Sequence, residues 1–166
     1  MEVDGPKRPI QFRRGFNVAS NATSARLYIT ALSLYEAEIN GQRVRDHVLA
    51  PSYQVYNYRH VYGTYDVTEL VTSGENATGV TVGGGWYPGR FGFRKAGAQS
   101  VRKHARLLSL LIITNADGSK ETIKSDTTWH ANIGPIITSK LHDGEVYNAT
   151  LEINGRHLQD STTVHG

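Results

Sequence analysis

Hydrophobic and polar positions alternate with a period of two along almost the whole chain. Leu27, Ile29 and Ala31 alternate with Tyr28, Thr30 and Leu32, and Tyr35, Ala37 and Ile39 alternate with Glu36 and Glu38. Side chains point to opposite faces of a strand in turn, so this pattern predicts strands with one buried face. The block from 26 to 44 reads as a β-hairpin turning at Asn40-Gly41, because Asn-Gly accepts positive φ at both turn positions. Asp117-Gly118 plays the same part between LLSLLIIT and SKETIKS, and Asn154-Gly155 offers a third turn. The continuous apolar run Leu107 to Ile113 predicts a central strand covered on both faces.

Asp66 to Val71 can form a short helical turn with Asp66 or Thr68 as its N-cap. No longer stretch has helical periodicity. Many short strands with Gly-rich turns predict an all-β fold, a jelly-roll-like antiparallel β-sandwich. A length of 166 residues suits one domain, taken as residues 1–166 with a core from about 12 to 152.

Composition narrows the function classes. Cysteine is absent, so disulfides and thiolate metal sites are excluded. The formal net charge of +3 comes from scattered Lys and Arg, with a loose group at Arg90, Arg94, Arg102, Lys103 and Arg106. A nucleic-acid surface needs a denser basic stripe, so no nucleic-acid partner is expected. No apolar stretch reaches membrane-spanning length, and no membrane partner is expected. Three N-x-T sequons, at Asn21, Asn76 and Asn148, point toward an extracellular, N-glycosylated protein of fungal type.

Two clusters carry binding chemistry. Trp86 and Tyr87 follow Gly83-Gly84-Gly85, with Arg90 just beyond. Such a loop can present aromatic rings, and the C–H face of a sugar stacks on rings while its hydroxyls need nearby polar groups. The same loop can instead plug the end of the sandwich or face a neighbouring domain. Tyr53, Gln54, Tyr56, Asn57, Tyr58 and Arg59 form the second cluster, in which amides and a guanidinium can bond to adjacent hydroxyls. The competing reading there is an amphipathic edge strand with solvated tyrosines.

Other groups carry less. Glu36, Asp66 and Glu145 are better explained as turn caps and partners of Arg26, Arg43 or Arg59 than as an acid–base set. Seven histidines stand singly, without ligand spacing, so no metal site is expected. GVTVGGGWYPG lacks the Lys and the following helix of a phosphate-binding loop.

The order of motifs resembles the N-terminal β-sandwich of bacterial and fungal α-L-rhamnosidases. The family pattern A-R-L-Y-I-T-A-L-G-x-Y-E-x-x-I-N-G is met by Ala25 to Leu32, Tyr35, Glu36, Ile39, Asn40 and Gly41. Leu49, Pro51, Tyr56 and Arg59 follow, then Tyr62, Thr64, Tyr65, Asp66, Val67 and Thr68. Gly74-Glu75-Asn76 and Gly83, Gly85, Trp86, Tyr87 come next, and Asp143-Gly144-Glu145-x-Tyr147 closes the series. The resemblance runs from about Phe12 to Glu152. Ser52-Tyr53 stands in place of the family's Gly-Trp, and Asn148 and Thr150 replace an Asp and an Arg.

The resemblance implies a non-catalytic accessory module that binds L-rhamnose or rhamnose-containing plant glycans. The alternative is a purely structural module packed on a catalytic (α/α)6 barrel. Either way the expected partners are the sugar or that catalytic domain. The family's catalytic carboxylates reside in the separate barrel, so no catalytic residue is assigned and the chain itself is not expected to be an enzyme. Related modules hold calcium through an acidic or amide pair after the Leu-Ala-Pro segment. Here Asn57-Tyr58 offers no carboxylate, which disfavours calcium, and no cofactor is expected. The expected carbohydrate-binding residues are Trp86, Tyr87, Asn57, Tyr58, Arg59, Gln54, Tyr53 and Arg90.

Overall fold

The computed structural model describes residues 8–89 and 106–152. They form an antiparallel β-sandwich with two short 3-10 turns. The strands are β1 Ile10–Val18, β2 Ala22–Ala31, β3 Leu34–Ile39, β4 Gln42–Arg43, β5 Gly63–Asp66 and β6 Gly74–Gly83. Then come β7 Leu107–Asn115, β8 Lys120–Lys124, β9 His130–Ile133, β10 Ile136–Lys140 and β11 Gly144–Tyr147. One sheet has the order β4-β3-β6-β1-β9, the second β5-β2-β7-β8, and β10 pairs with β11 alone.

The core is the space between the two larger sheets, and the alternation fills it. Leu27, Ile29 and Ala31 of β2 and Leu111 and Ile113 of β7 come from one side. Tyr35, Ala37 and Ile39 of β3, Val80 and Val82 of β6, and Val18 of β1 come from the other. Each strand therefore contributes every second residue, as a half-buried strand must.

The hairpin at Asn40-Gly41 is present, with φ of 50° and 77°, but it joins only β3 and β4. Arg26 to Ala31 belongs to the opposite sheet, so the expected 26–44 hairpin is corrected. The chain crosses the core at Leu32-Ser33 so that both alternating faces point inward. The 117–118 turn does join β7 to β8. Only Gly118 adopts positive φ there, and its N–H donates to Asn115 C=O at 2.9 Å.

β7 is central in its sheet, between β2 and β8, but it is not covered on both faces. Ser109, Leu111 and Ile113 are buried, whereas Leu108 is 66% exposed. An outer sheet face carries Leu108 and Leu110 opposite Thr30 and Tyr28. The expected helical turn is the 3-10 turn Thr68–Leu70, and its N-cap is Val67 rather than Asp66 or Thr68. The Asp66 carboxylate instead accepts from the Thr68 N–H at 3.1 Å and the Thr68 hydroxyl at 2.7 Å. The Asn154-Gly155 turn lies outside the described residues.

An amide pair, with Asn76 buried and Asn40 partly so, ties the β3–β4 turn to the start of β6. Asn76 is 4% exposed. Its Nδ2 donates to the carbonyls of Thr72 and Gly74, and its Oδ1 accepts from Thr72 N–H and from Asn40 Nδ2. Asn40 in turn donates to Leu70 C=O and accepts from Ala77 N–H. Of the three sequon asparagines, Asn76 is thus internal to the fold, whereas Asn21 is exposed.

Candidate aromatic binding site

The site forms at one end of the five-stranded sheet, where the start of β3 lies between two returning segments. On one side Leu34 pairs with Gly83 at the end of β6. On the other, Tyr35 bridges to Ala50, with Tyr35 N–H donating to Ala50 C=O at 2.8 Å. The chain after Ala50 and the chain after Gly83 are thereby brought to the same edge. The two clusters that are separate in the sequence become one.

Each segment turns sharply as it enters the site. Leu49 and Ser52 have φ of 56° and 78°, around a cis Ala50–Pro51 bond, and Ser52 N–H donates to Leu49 C=O at 2.7 Å. Non-glycine residues in the left-handed region persist only where the surroundings hold them, and they gather at ligand sites. After β6, glycine is required for space. A Cβ on Gly84 would collide with the Ser139 carbonyl oxygen, and one on Gly85 would lie 2.7 Å from Leu34 Cγ.

The rings form a connected set. Trp86 meets Tyr53 edge-to-face at 5.9 Å, Tyr53 meets Tyr56 at 6.3 Å, and Tyr56 meets Tyr87 at 4.9 Å. His60 lies 6.3 Å from Tyr56. Edge-to-face pairs of this kind each add about 0.5–1.5 kcal/mol beyond area burial. Tyr53 is half exposed, and Tyr56, Trp86 and Tyr87 are partly buried. Segment 53–60 is a turn rather than an edge strand, closed by Tyr58 N–H on Val55 C=O at 2.8 Å.

The polar residues divide. Asn57, Tyr58 and Arg59 are exposed beside the rings, and Tyr58 is 88% exposed. Gln54 is only 3% exposed. Its carbonyl oxygen accepts from Val61 N–H at 2.6 Å, which fastens the turn from within. Its amide nitrogen is buried without a hydrogen-bond partner among the described residues. Arg90 lies outside the described residues.

The acidic residues do not assemble as a set. Glu36 pairs with Arg43 at 2.7 Å, Asp66 serves its own turn, and Glu145 is exposed on β11. The hydrogen bonds from Thr68 hold the Asp66 carboxyl below the ordinary carboxylate range, with smaller help from Arg26 and Arg45. Among the described residues no three His, Asp or Glu side chains gather as a metal site.

A second polar cluster lies beside the start of β3. Tyr65 OH lies 3.2 Å from Tyr35 OH and 3.3 Å from His47 Nδ1, in a cleft flanked by Arg43 and Arg45. Burial, reinforced by Tyr65, pushes the Tyr35 hydroxyl well above the ordinary tyrosine range. The alternation Arg43, Arg45, His47 was the available signal, since it places three basic groups on one side of an extended segment.

Comparison with known proteins gives the family. The sequence profile of the α-L-rhamnosidase N-terminal domain matches residues 20–163. The chain belongs to this family. An α-L-rhamnosidase of Formosa agariphila is 44% identical over 147 residues, covering 88% of this chain and 16% of that protein. The crystal structure of native α-L-rhamnosidase from Aspergillus terreus superposes with a TM-score of 0.87 at 56% identity, over 93% of this chain and 18% of that one. The Streptomyces avermitilis α-L-rhamnosidase, crystallised in complex with L-rhamnose, superposes with a TM-score of 0.84 at 41% identity. That match covers 89% of this chain and 14% of the other. The chain thus spans about one sixth of the length of these relatives. The rhamnosidase N-terminal domain is a non-helical sandwich here, and no helical barrel occurs among the described residues.

Proposed function

We propose that this sandwich is a carbohydrate-binding accessory module of an extracellular α-L-rhamnosidase, and that its ligand is L-rhamnose or a rhamnose-containing glycan. The observation that carries the reading is the joining of Tyr53, Tyr56, Trp86 and Tyr87 into one aromatic shelf with Asn57 and Arg59 exposed at its margin. Rhamnose has a deoxy methyl and an apolar ring face, which suit the rings, and hydroxyls, which suit amide and guanidinium donors. The rings are held by their own contacts before any ligand arrives, which lowers the ordering cost of binding. The rings of the shelf are only partly covered, so affinity in the micromolar to millimolar order is expected. In the parent protein the module would place a catalytic domain near its substrate.

Calorimetric titration with L-rhamnose tests this. The parent chain is expected to bind saturably, Trp86→Ala to bind at least about tenfold more weakly, and a chelator to change nothing. Absence of binding, or an unaltered Trp86→Ala response, would overturn the sugar reading. Loss of binding on chelation would overturn the metal-free form of it.

A second reading has its own support. Val48, Leu49, Tyr53, Val55, Tyr58, Val61 and Tyr62 are all large and exposed within one short segment. An apolar surface of that kind suits burial against another domain. On this reading the module is structural and the shelf belongs to an interdomain contact. The titration separates the two, since a purely structural module gives no rhamnose response.

A further inference from the structure

The cleft beside the start of β3 has the composition of a second ligand site. Ala37 and Ala50 are buried and give it an apolar floor, and Arg43, Arg45 and His47 stand exposed along its wall. Tyr65 OH is fixed between Tyr35 OH at 3.2 Å and His47 Nδ1 at 3.3 Å, which orients the imidazole at the rim. Arg43 gives one N–H to Glu36 at 2.7 Å and keeps its other donors. Arg45 makes no hydrogen bond or ion pair among the described residues, although the Asp66 carboxylate is near enough to feel its charge. Asp66 itself is already occupied by the Thr68 N–H and hydroxyl.

The charge balance selects the ligand class. Arg43 is paired with Glu36 and Arg45 feels the Asp66 carboxylate, so the wall carries little net charge while both guanidiniums keep donors to offer. That suits a single carboxylate better than a doubly charged phosphate. Arginine's planar fork matches a carboxylate with two parallel hydrogen bonds. The cleft's own volume of about 20 Å³ seats a carboxylate group, and the sugar ring that bears it would lie outside, over the exposed arginines.

We propose that the Arg43–Arg45–His47 cleft is an anion subsite that takes the carboxylate of an acidic sugar, with Arg45 as its principal contact. The anion site stands on the cleft alone; its assignment to a sugar rests on the carbohydrate-binding reading of the module. It lies at a different set of residues from the aromatic shelf, so the two sites can be tested apart.

The probe is D-glucuronate, with D-glucose and acetate as comparisons, followed by two-dimensional NMR of the chain. Glucuronate is expected to shift the resonances of Arg43, Arg45 and His47 saturably. Glucose and acetate are each expected to bind at least about tenfold more weakly. Arg45→Gln, which keeps polarity and removes the charge, should lose about tenfold in affinity, and added salt should weaken binding. Trp86→Ala should leave glucuronate binding unchanged, so a failure of the rhamnose shelf does not affect the outcome. No saturation, equal binding of glucose or acetate, shifts at the shelf instead of the cleft, or an unaltered Arg45→Gln variant would each overturn the proposal.

Discussion

The Tyr53 ring meets the Trp86 ring edge-on at 5.9 Å and 80°. This contact joins two segments that are far apart in the chain and that arrive on opposite sides of the start of β3. An edge-to-face pair leaves one ring's faces uncovered by its partner, which is the condition for stacking a ligand. The fold supplies the meeting point, and the two turns supply the rings.

The approach of β6 to Ser139 sets the direction of the Trp86 loop. Gly84→Ala would drive a methyl into the Ser139 carbonyl oxygen. A loss of about 1–3 kcal/mol in urea denaturation is expected, the usual cost of forced overpacking. Gly79→Ala meets nothing within 4 Å and should be neutral or slightly stabilising. Equal effects of the two would contradict this account of the loop.

Ser52 occupies a left-handed conformation, with φ of 78°. Relief of the Cβ clash in that region is worth about 1 kcal/mol, reduced by the greater unfolded freedom of glycine. Ser52→Gly is therefore expected to raise the melting temperature modestly. A destabilised variant would show that the Ser52 side chain contributes more than its backbone costs.

The Asn40–Asn76 pair satisfies several buried backbone groups at once. Asn76→Ala would leave the Thr72 N–H without its acceptor and the Thr72 and Gly74 carbonyls without their donor, and each group left unsatisfied away from water costs about 1–3 kcal/mol. A loss of about 3 kcal/mol or more in denaturant stability is expected, and Asn76→Asp should not rescue it, because a carboxylate oxygen would then face the Thr72 and Gly74 carbonyls. A loss below about 1 kcal/mol would mean that water replaces the network.

Three exposed aspartates repeat one device. Asp66, Asp117 and Asp126 each accept the N–H and hydroxyl of the Thr or Ser two residues on, and these bonds hold each carboxyl below its ordinary value of 3.8. Because the folded values are depressed, the carboxylates add stability above about pH 4 that is lost as pH falls through the lowered values. Thermal melts from pH 6 to pH 3 should show that fall. A variant with all three changed to Ala should show a shallower one, and an unchanged slope would contradict the assignment.

Much of this architecture was legible in local pattern. Tyr35, Ala37 and Ile39 face the core as their alternation requires, and Asn40-Gly41 turns where its φ preference places it. What local pattern does not carry is which sheet a strand joins. Leu27 and Tyr35 lie in similar alternating runs, yet they enter the core from different sheets. The run Leu107 to Ile113 is apolar throughout, but Leu108 points outward, because hydrophobicity alone does not state whether a sheet face is covered. The site residues Trp86 and Tyr53 were visible as aromatic clusters, while their contact depends on the Tyr35–Ala50 bridge, a long-range pairing. Gln54 stands among the expected sugar contacts in the sequence and is instead buried, since its carbonyl accepts from the backbone N–H of Val61. The Tyr35–Tyr65–His47 chain shows in the sequence only through the alternation Arg43, Arg45, His47, as three separate segments build it.

The most direct test of the central claim is the residue-by-residue NMR response of the chain to L-rhamnose. The account predicts saturable shifts concentrated at Tyr53, Tyr56, Asn57, Arg59, Trp86 and Tyr87, with the core strands unmoved. No saturable shift up to tens of millimolar sugar, or shifts confined to another face of the sandwich, would contradict it.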